Sequence, residues 1–105
     1  MKKTIAVHLA EGFEEIEAIS IIDVLRRAEF YVIVVSVTGK KEVISSHQVK
    51  IIAEELFENV DYTKVDMIVL PGGLPGAYNL RDHAGLNEEI ARFNKNGKPL
   101  GAICA

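Results

Sequence analysis

Apolar and polar positions follow two different periods along this chain. Residues 4–9, 30–37 and 65–70 are short β-prone apolar runs of the kind that form buried parallel strands. From Glu14 to Arg27 the apolar residues recur instead at helical spacing, with acidic residues at the start and basic residues at the end. The first strand, this helix and the second strand therefore predict a right-handed βαβ unit.

The remaining segments complete an α/β pattern. They are an edge hairpin (41–45 and 48–53), an acidic irregular stretch (54–62), a helix start (77–80), a helix (85–96) capped by Asn96-Gly97, and a last apolar run (98–104). This order predicts a flavodoxin-like three-layer α/β fold with a mainly parallel open sheet and an edge hairpin. We expect the final helix and the return strands of such a sheet to lie outside these 105 residues.

Composition narrows the function classes. The 105 residues allow at most one domain, and the net charge of −3 is made with scattered basic residues. A nucleic-acid footprint would need a clustered basic face, and no apolar run is long enough for a membrane span. A single cysteine forms no intrachain disulfide, so we expect a cytoplasmic protein with a free thiol.

That cysteine, Cys104, follows a predicted parallel strand. Free cysteine is among the most buried residue types, so one interpretation is a small core residue. The other is a nucleophile, because the carboxyl end of a parallel strand is where open sheets place their chemistry. A helix beginning there would lower the thiol pKa. Gly101, Ala102 and Ala105 are small, as a tight strand-to-helix turn requires.

A second candidate is the loop at Pro71, Gly72 and Gly73, which follows the strand 65–70. It can be a simple turn. Alternatively, its bare backbone N–H groups can form an oxyanion or anion site. The spacing lacks the pattern of a nucleotide-binding loop.

The acidic residues at the start of the first helix form a third candidate. Solvent exposure explains at least two of Glu11, Glu14, Glu15 and Glu17. Glu17 differs because it falls between the apolar positions Ile16 and Ile19, so it can point partly toward the crevice and exchange protons with a thiol.

The three histidines are weaker candidates for a functional site. We expect His8 to be structural, His83 to lie at a helix start, and His47 to lie at the hairpin turn, where it can reach a sheet edge or a partner subunit. None has a metal-binding spacing with Cys104, so we predict no metal and no cofactor.

Four segments in order are similar to the N-terminal part of the ThiJ/PfpI superfamily. They are residues 11–17 (EGFEEIE), 23–28 (DVLRRA), 66–73 (DMIVLPGG) and 102–105 (AICA), and the resemblance covers residues 3–105. It implies a flavodoxin-like fold, usually a homodimer. In its reactive site Cys104 is the nucleophile and Glu17 is hydrogen-bonded to the thiol, while the backbone at Gly72, Gly73 and Ala105 lines the oxyanion pocket.

The resemblance also implies a set of activities. The leading hypothesis is a glyoxalase- or deglycase-like enzyme acting on small reactive carbonyls through a Cys104 hemithioacetal. The alternatives are a redox-sensing stress-response protein whose Cys104 is oxidised to a sulfinate, a cysteine peptidase or amidase, and a holdase chaperone. Many family members use a histidine downstream of the cysteine. We therefore expect residues 1–105 to be the N-terminal portion of a single domain, with a second polypeptide carrying the remainder.

Overall fold

The structure, a computed structural model, describes residues 2–102. Residues 2–102 contain seven strands and three α-helices, in the predicted order except for the short strand β5, which was not predicted. The strands are β1 (Thr4–Leu9), β2 (Tyr31–Ser36), β3 (Glu42–Ile44), β4 (Lys50–Ile52), β5 (Glu55–Leu56), β6 (Met67–Leu70) and β7 (Leu100–Ala102). The helices are α1 (Glu15–Arg27), α2 (Gly76–Arg81) and α3 (Ala84–Lys95), with 3-10 turns at Phe57–Asn59 and Tyr62–Lys64. Within the described chain, no helix combines the length and the apolar composition needed to cross a bilayer.

Five strands form a single parallel sheet in the order β5-β2-β1-β6-β7. β1 is central and almost fully buried, which explains why its sequence is continuously apolar apart from His8. The sheet order reverses direction at β1, because α1 leads to β2 on one side while β6 pairs on the other. The carboxyl ends of β1 and β6 therefore lie side by side, at the place where open sheets bind ligands.

Two helical layers cover the sheet. Ile5, Val7 and Leu9 of β1 pack in one core with Ala18 and Ile22 of α1. The alternate residue Ala6 belongs to a second core with Ile68 and with Phe93 of α3. Successive side chains of a strand point to opposite faces, so α1 and α3 cover opposite sides of the sheet. The predicted three-layer α/β architecture is confirmed.

The predicted hairpin also forms, as the antiparallel pair β3–β4, but its predicted place at the edge of the main sheet is wrong. It is a two-stranded sheet of its own, and the main sheet ends on that side with the two-residue strand β5. Val43 of the hairpin is buried in the same core as α1, so the hairpin packs over the α1 layer. The sequence predicts an irregular segment at 54–62 with one loose helical turn, and the 3-10 turn Phe57–Asn59 lies there. The segment also contains the unpredicted strand β5, which is too short to show a strand period.

Helix boundaries follow local capping signals. Glu14 is the N-cap of α1 and accepts hydrogen bonds from the backbone N–H groups of Ile16 and Glu17. α3 ends at Lys95 with Asn96 as its C-cap, and Gly97 takes a positive φ of 69°, as predicted from the Asn-Gly pair. The last predicted strand is β7, and Cys104 and Ala105 lie outside the described residues.

Candidate functional site

Two loops meet at the carboxyl edge of the sheet. The first loop (residues 10–14) follows β1, and the second loop (residues 71–75) follows β6. The Glu14 N–H donates to the Gly72 carbonyl at 3.1 Å, and the Gly76 N–H donates to the Gly12 carbonyl at 3.0 Å. The Asn79 side chain adds a bond from its Nδ2 to the Glu11 carbonyl at 2.7 Å. The two loops are thus joined directly, without an intervening side-chain layer.

Glycine makes this approach possible. Gly73 has φ +101°, and a Cβ at that position would lie 2.6 Å from the backbone nitrogen of Glu14. At Gly12, which has φ +83°, a Cβ would lie 2.5 Å from Cδ of Pro75. Both the backbone conformation and the contact exclude larger residues. Gly73, one of the two glycines of the candidate anion site, therefore also sets the spacing of the two loops, together with Gly12.

The start of α1 is arranged unusually by these contacts. Glu14 occupies the N-cap and Glu17 the third helical position, the spacing at which a glutamate commonly bonds back to the N-cap N–H. Here that N–H donates to Gly72 of the second loop instead. The Glu17 carboxyl is consequently released from a capping role.

Glu17 carries the most informative polar group of the site. Its Oε1 is shielded from solvent and has no hydrogen-bond partner among residues 2–102. Buried polar oxygens without partners are rare in native proteins and are costly to leave unpaired. The Glu17 side chain is therefore suited to a group that lies outside residues 2–102, and its role as partner of the thiol stays a prediction.

The remaining predicted site residues can be placed only in part. Gly72 and Gly73 lie in the second loop, next to the start of α1. β7 runs parallel to β6, with Ala102 paired to Leu70 immediately before the second loop. Cys104 and Ala105 lie outside the described residues, so their predicted roles as nucleophile and oxyanion donor are untested.

The β3–β4 hairpin also lines the site, beside the first and second loops, and this was not predicted from the sequence. The Gly12 N–H donates to the Ile44 carbonyl at 2.8 Å, and the Ser46 N–H donates to the Phe13 carbonyl at 2.8 Å. A cleft of about 410 Å³ opens between the first loop, the hairpin and Pro75. Because these contacts join segments far apart in the sequence, no local pattern predicts them.

His47 lies at the bend of this hairpin and pairs with the first turn of α1. Its Nδ1 is 2.8 Å from Glu15 Oε1 and 3.0 Å from Oε2. The hydrogen bond with Glu15 raises the pKa of His47, and the same bond lowers the pKa of Glu15. Each charge therefore favours the ionised form of the other. The expected place of His47 at the hairpin turn is confirmed, but its partner is α1.

His8 is structural and His83 lies at a helix start, each as predicted. His8 is fully buried, its Nδ1 donates to the Val69 carbonyl at 3.3 Å, and its Nε2 accepts from the Tyr62 hydroxyl at 2.6 Å. Burial lowers the pKa of His8 to about 4, so the ring is neutral at physiological pH. His83 is the N-cap of α3, where its Nδ1 accepts from the Leu86 N–H at 2.9 Å.

Donor atoms of Glu14, Glu15 and His47 lie within 4.8 Å of one another. Both Glu14 oxygens accept hydrogen bonds from the start of α1, and Glu15 pairs with His47. These contacts account for all three side chains, and we assign no metal to them.

Comparisons with known proteins place this geometry in a family. Residues 3–105 match the model of the DJ-1/PfpI family. The chain is 42% identical over 101 residues to Protein DJ-1 homolog B of Arabidopsis thaliana, covering 96% of this chain and 23% of that protein. It is 36% identical over 105 residues to Protein dj-1beta of Drosophila melanogaster, covering 100% of this chain and 56% of that protein.

Solved structures agree. The oxidised form of Toxoplasma gondii DJ-1 has a TM-score of 0.94 and 42% identity, covering 98% of this chain and 56% of that one. The chain thus spans about a quarter of the length of the Arabidopsis protein and just over half of the length of the Drosophila protein. The resemblance predicted from four sequence segments is confirmed: the chain belongs to the DJ-1/PfpI family.

Proposed function

We propose that this DJ-1/PfpI chain is the part of a cysteine-dependent enzyme that carries the nucleophile and its proton donor, and that its substrates are small reactive carbonyls. The Cys104 thiolate attacks the carbonyl carbon, a C–S bond forms, and the carbonyl π electrons move to oxygen. Glu17 gives a proton to that oxygen, so the product of the step is a hemithioacetal. The backbone N–H groups at Gly72, Gly73 and Ala105 stabilise the developing alkoxide.

One observation carries this proposal. Oxygen Oε1 of Glu17 is shielded and unpartnered among residues 2–102, while the loop contact through Gly72 has removed its capping role. A protein with no use for that oxygen would gain stability by pairing or replacing it. Its retention beside the carboxyl ends of β1 and β6 supports a part in proton transfer to a group that arrives there.

The test is carbonyl consumption by the full-length protein, with glyoxal as the probe. We expect Cys104→Ala to lower kcat/KM by at least about a thousandfold, as loss of a nucleophile does. Cys104→Ser serves as the volume-matched control and should be nearly as inactive. Undiminished glyoxal turnover in either variant would rule out the hemithioacetal mechanism.

Oxidation sensing is the second candidate, because a structure matched by this chain is an oxidised DJ-1 from Toxoplasma gondii. In that role, peroxide would oxidise the Cys104 thiolate first to a sulfenate and then to a sulfinate, each step transferring one oxygen to sulfur and releasing water. Intact-mass spectrometry after a peroxide titration distinguishes the two candidates. Addition of two oxygens at low peroxide, together with no glyoxal turnover, favours the sensor.

We also propose that the chain acts as a homodimer through an apolar groove between α1 and the hairpin. The groove has a volume of about 350 Å³ and lies beside Ile16, Ile19, Val49 and Ile51. Ile16 projects from it with 72% of its surface exposed. In a dimer with a two-fold axis, both subunits use the same surface patch. A patch that contains both a projecting side chain and a neighbouring groove can therefore pair with its own copy, so we propose a second copy of the chain as the occupant.

Analytical ultracentrifugation of the full-length protein tests the dimer. Ile16→Glu should shift the protein to monomer, because it would bury a carboxylate between the two copies. Tyr78→Glu changes another exposed large side chain, which lies on α2 away from the groove, and should leave association unchanged. Equal association of wild type and Ile16→Glu would show that this groove is not the interface.

A further inference from the structure

The hairpin bend (residues 45–49) is fastened to the start of α1 by contacts of two kinds. Backbone hydrogen bonds join Gly12 to Ile44 and Ser46 to Phe13, both at 2.8 Å. The third contact is the side-chain pair between His47 and Glu15. Backbone amides do not titrate in the physiological range, whereas a histidine–carboxylate pair does. Of these three contacts, the pair between His47 and Glu15 is therefore the one that can respond to pH near neutrality.

The surroundings of His47 are acidic. Glu15 accepts its hydrogen bond, and Glu14 faces it from the same helix start. From the first loop, Glu11 reaches the hairpin through a 3.3 Å bond from the Ile44 N–H to its Oε1. On the hairpin itself, Lys50 is paired with Glu42 at 3.8 Å. A proton on His47 thus brings a positive charge into a group of carboxylates.

Glu17 lies one helical step beyond this contact. Its backbone N–H donates to Glu14 Oε2 at 2.9 Å, and the Ile16 N–H donates to Glu14 Oε1 at 3.0 Å. Glu14, Glu15 and Glu17 therefore belong to one hydrogen-bonded helix start, and the hairpin contacts that start at Glu15. The same turn carries the Glu17 carboxyl, whose Oε1 has no partner among residues 2–102.

We propose that His47 is a positioning residue: its protonated ring holds Glu15 and thereby orients the helix turn that presents Glu17 to the reactive thiol, so that the reactivity of the site depends on pH near neutrality. This inference rests on the proposed function only for the role of Glu17. The coupling of His47 to the helix start is a separate physical claim.

The pH range follows from the direction of each shift. The pKa of His47 lies above its ordinary value of 6.5, so on the alkaline side the contribution of the pair is fully present below pH 6.5 and is lost as pH rises through the raised pKa. The pKa of Glu15 lies below 4.5, so the contribution is also lost as pH falls through that lowered value. The pair is therefore intact between the two pKa values.

The experiment compares wild type with His47→Arg and His47→Gln in the full-length protein. Nuclear magnetic resonance follows the His47 ring and the Glu17 amide from pH 5 to 9, and iodoacetamide alkylation follows Cys104 over the same range. In wild type, we expect the Glu17 amide to shift with the midpoint of the His47 ring. The arginine variant keeps its charge and should lose that step, and the glutamine variant should resemble high-pH wild type at every pH.

For alkylation, we expect the ratio of the wild-type rate to the arginine-variant rate to change by about threefold to tenfold across the His47 midpoint, the range of modest coupling between neighbouring sites. A Glu17 amide that ignores the His47 midpoint would overturn the proposal, as would the same alkylation profile in wild type and the arginine variant. If a His47 variant does not fold, Glu15→Gln is used instead, and it should return the His47 midpoint toward 6.5.

These readouts do not depend on glyoxal turnover. An enzyme that fails to consume glyoxal but shows the shared His47 and Glu17 midpoint contradicts the proposed function and supports the positioning role. Glyoxal turnover without a shared midpoint of His47 and Glu17 supports the proposed function and contradicts the positioning role.

Discussion

His8 and Glu17 both carry ionisable groups with atoms shielded from solvent, yet their hydrogen bonding is opposite. His8 lies within β1, and both of its ring nitrogens have partners, the Val69 carbonyl and the Tyr62 hydroxyl. Glu17 lies in the first turn of α1, and its Oε1 has no partner among residues 2–102. His8 has all of its ring hydrogen bonds inside the core, while an oxygen of the Glu17 carboxyl at the edge of the sheet lacks a hydrogen-bond partner among residues 2–102.

The difference separates a structural polar group from a functional one. Burial holds His8 neutral, and burial also raises the pKa of Tyr62, so the phenol keeps the proton that it donates. Such a closed pair stabilises one packing arrangement. The unpartnered carboxyl of Glu17, beside the two joined loops, instead lowers stability. A protein retains such a destabilising group where function requires it.

The largest expected effect is on the reaction and comes from Glu17→Gln. If the carboxyl transfers a proton, kcat/KM for glyoxal should fall by about 10²- to 10⁴-fold. Stability should stay equal or rise, because an amide is less costly to shield than a carboxylate. Glu58→Gln, at an exposed glutamate, is the matched control. Unchanged turnover in Glu17→Gln would remove Glu17 from the mechanism.

A second prediction concerns the glycines that join the loops. Gly73→Ala should destabilise the fold by roughly 3 kcal/mol or more, because it adds a 2.6 Å contact with Glu14 to an unfavourable positive φ. Gly39→Ala is the control: its φ is +86° and nothing lies within 4 Å of the added Cβ. We expect the control to cost about 1–2 kcal/mol. Urea denaturation measures both, and equal losses would show that the loop contact contributes nothing.

The third prediction tests the closed pair through pH. His8 binds a proton at about pH 4 when folded and at 6.5 when unfolded, so between these values the unfolded state holds more protons and stability rises with pH. From these values, His8 alone should make the protein about 2 kcal/mol less stable at pH 5 than at pH 7. Denaturation of wild type and His8→Leu at both pH values isolates this contribution. The same pH dependence in both proteins would contradict it.

The smallest effect is expected at a solvent-exposed ion pair on α1. Arg27 lies 3.0 Å from Asp23, and the Arg27 side chain is 78% exposed. Pairs of this kind contribute about 0.3–0.5 kcal/mol, so Arg27→Ala should change stability by no more than about that amount. Repeating the measurement in 1 M salt should remove most of the difference. A loss above 1 kcal/mol would mean that Arg27 also packs on the core.

Much of the fold could be predicted from local patterns. The runs at residues 4–9 and 30–37 became β1 and β2, and the helical period from Glu14 became α1 with its acidic start and basic end. These elements are long enough to show a full hydrophobic period. The strand β5 has two residues and was missed because its pairing with Val35 and Ser36 comes from the neighbouring strand.

The candidate site could be predicted only in its parts. The Pro71–Gly73 turn and the distinct position of Glu17 follow from residue type and spacing. The contact between His47 and Glu15 joins residues 32 apart in sequence, and the hairpin packs over α1 instead of extending the sheet. Such long-range contacts cannot be predicted from the spacing of residues in the sequence.

By itself, then, the sequence determined the order of strands and helices, the family, and the residue types available for chemistry, because each depends on local periodicity or on motifs. Only the tertiary structure decided that the Gly72 carbonyl accepts the hydrogen bond from the Glu14 N–H, which Glu17 would otherwise accept. The contact between His47 and Glu15 was likewise decided by the tertiary structure. The physical reason is that hydrogen bonds form between whichever groups the sheet order brings together. That order is set by packing of the whole core.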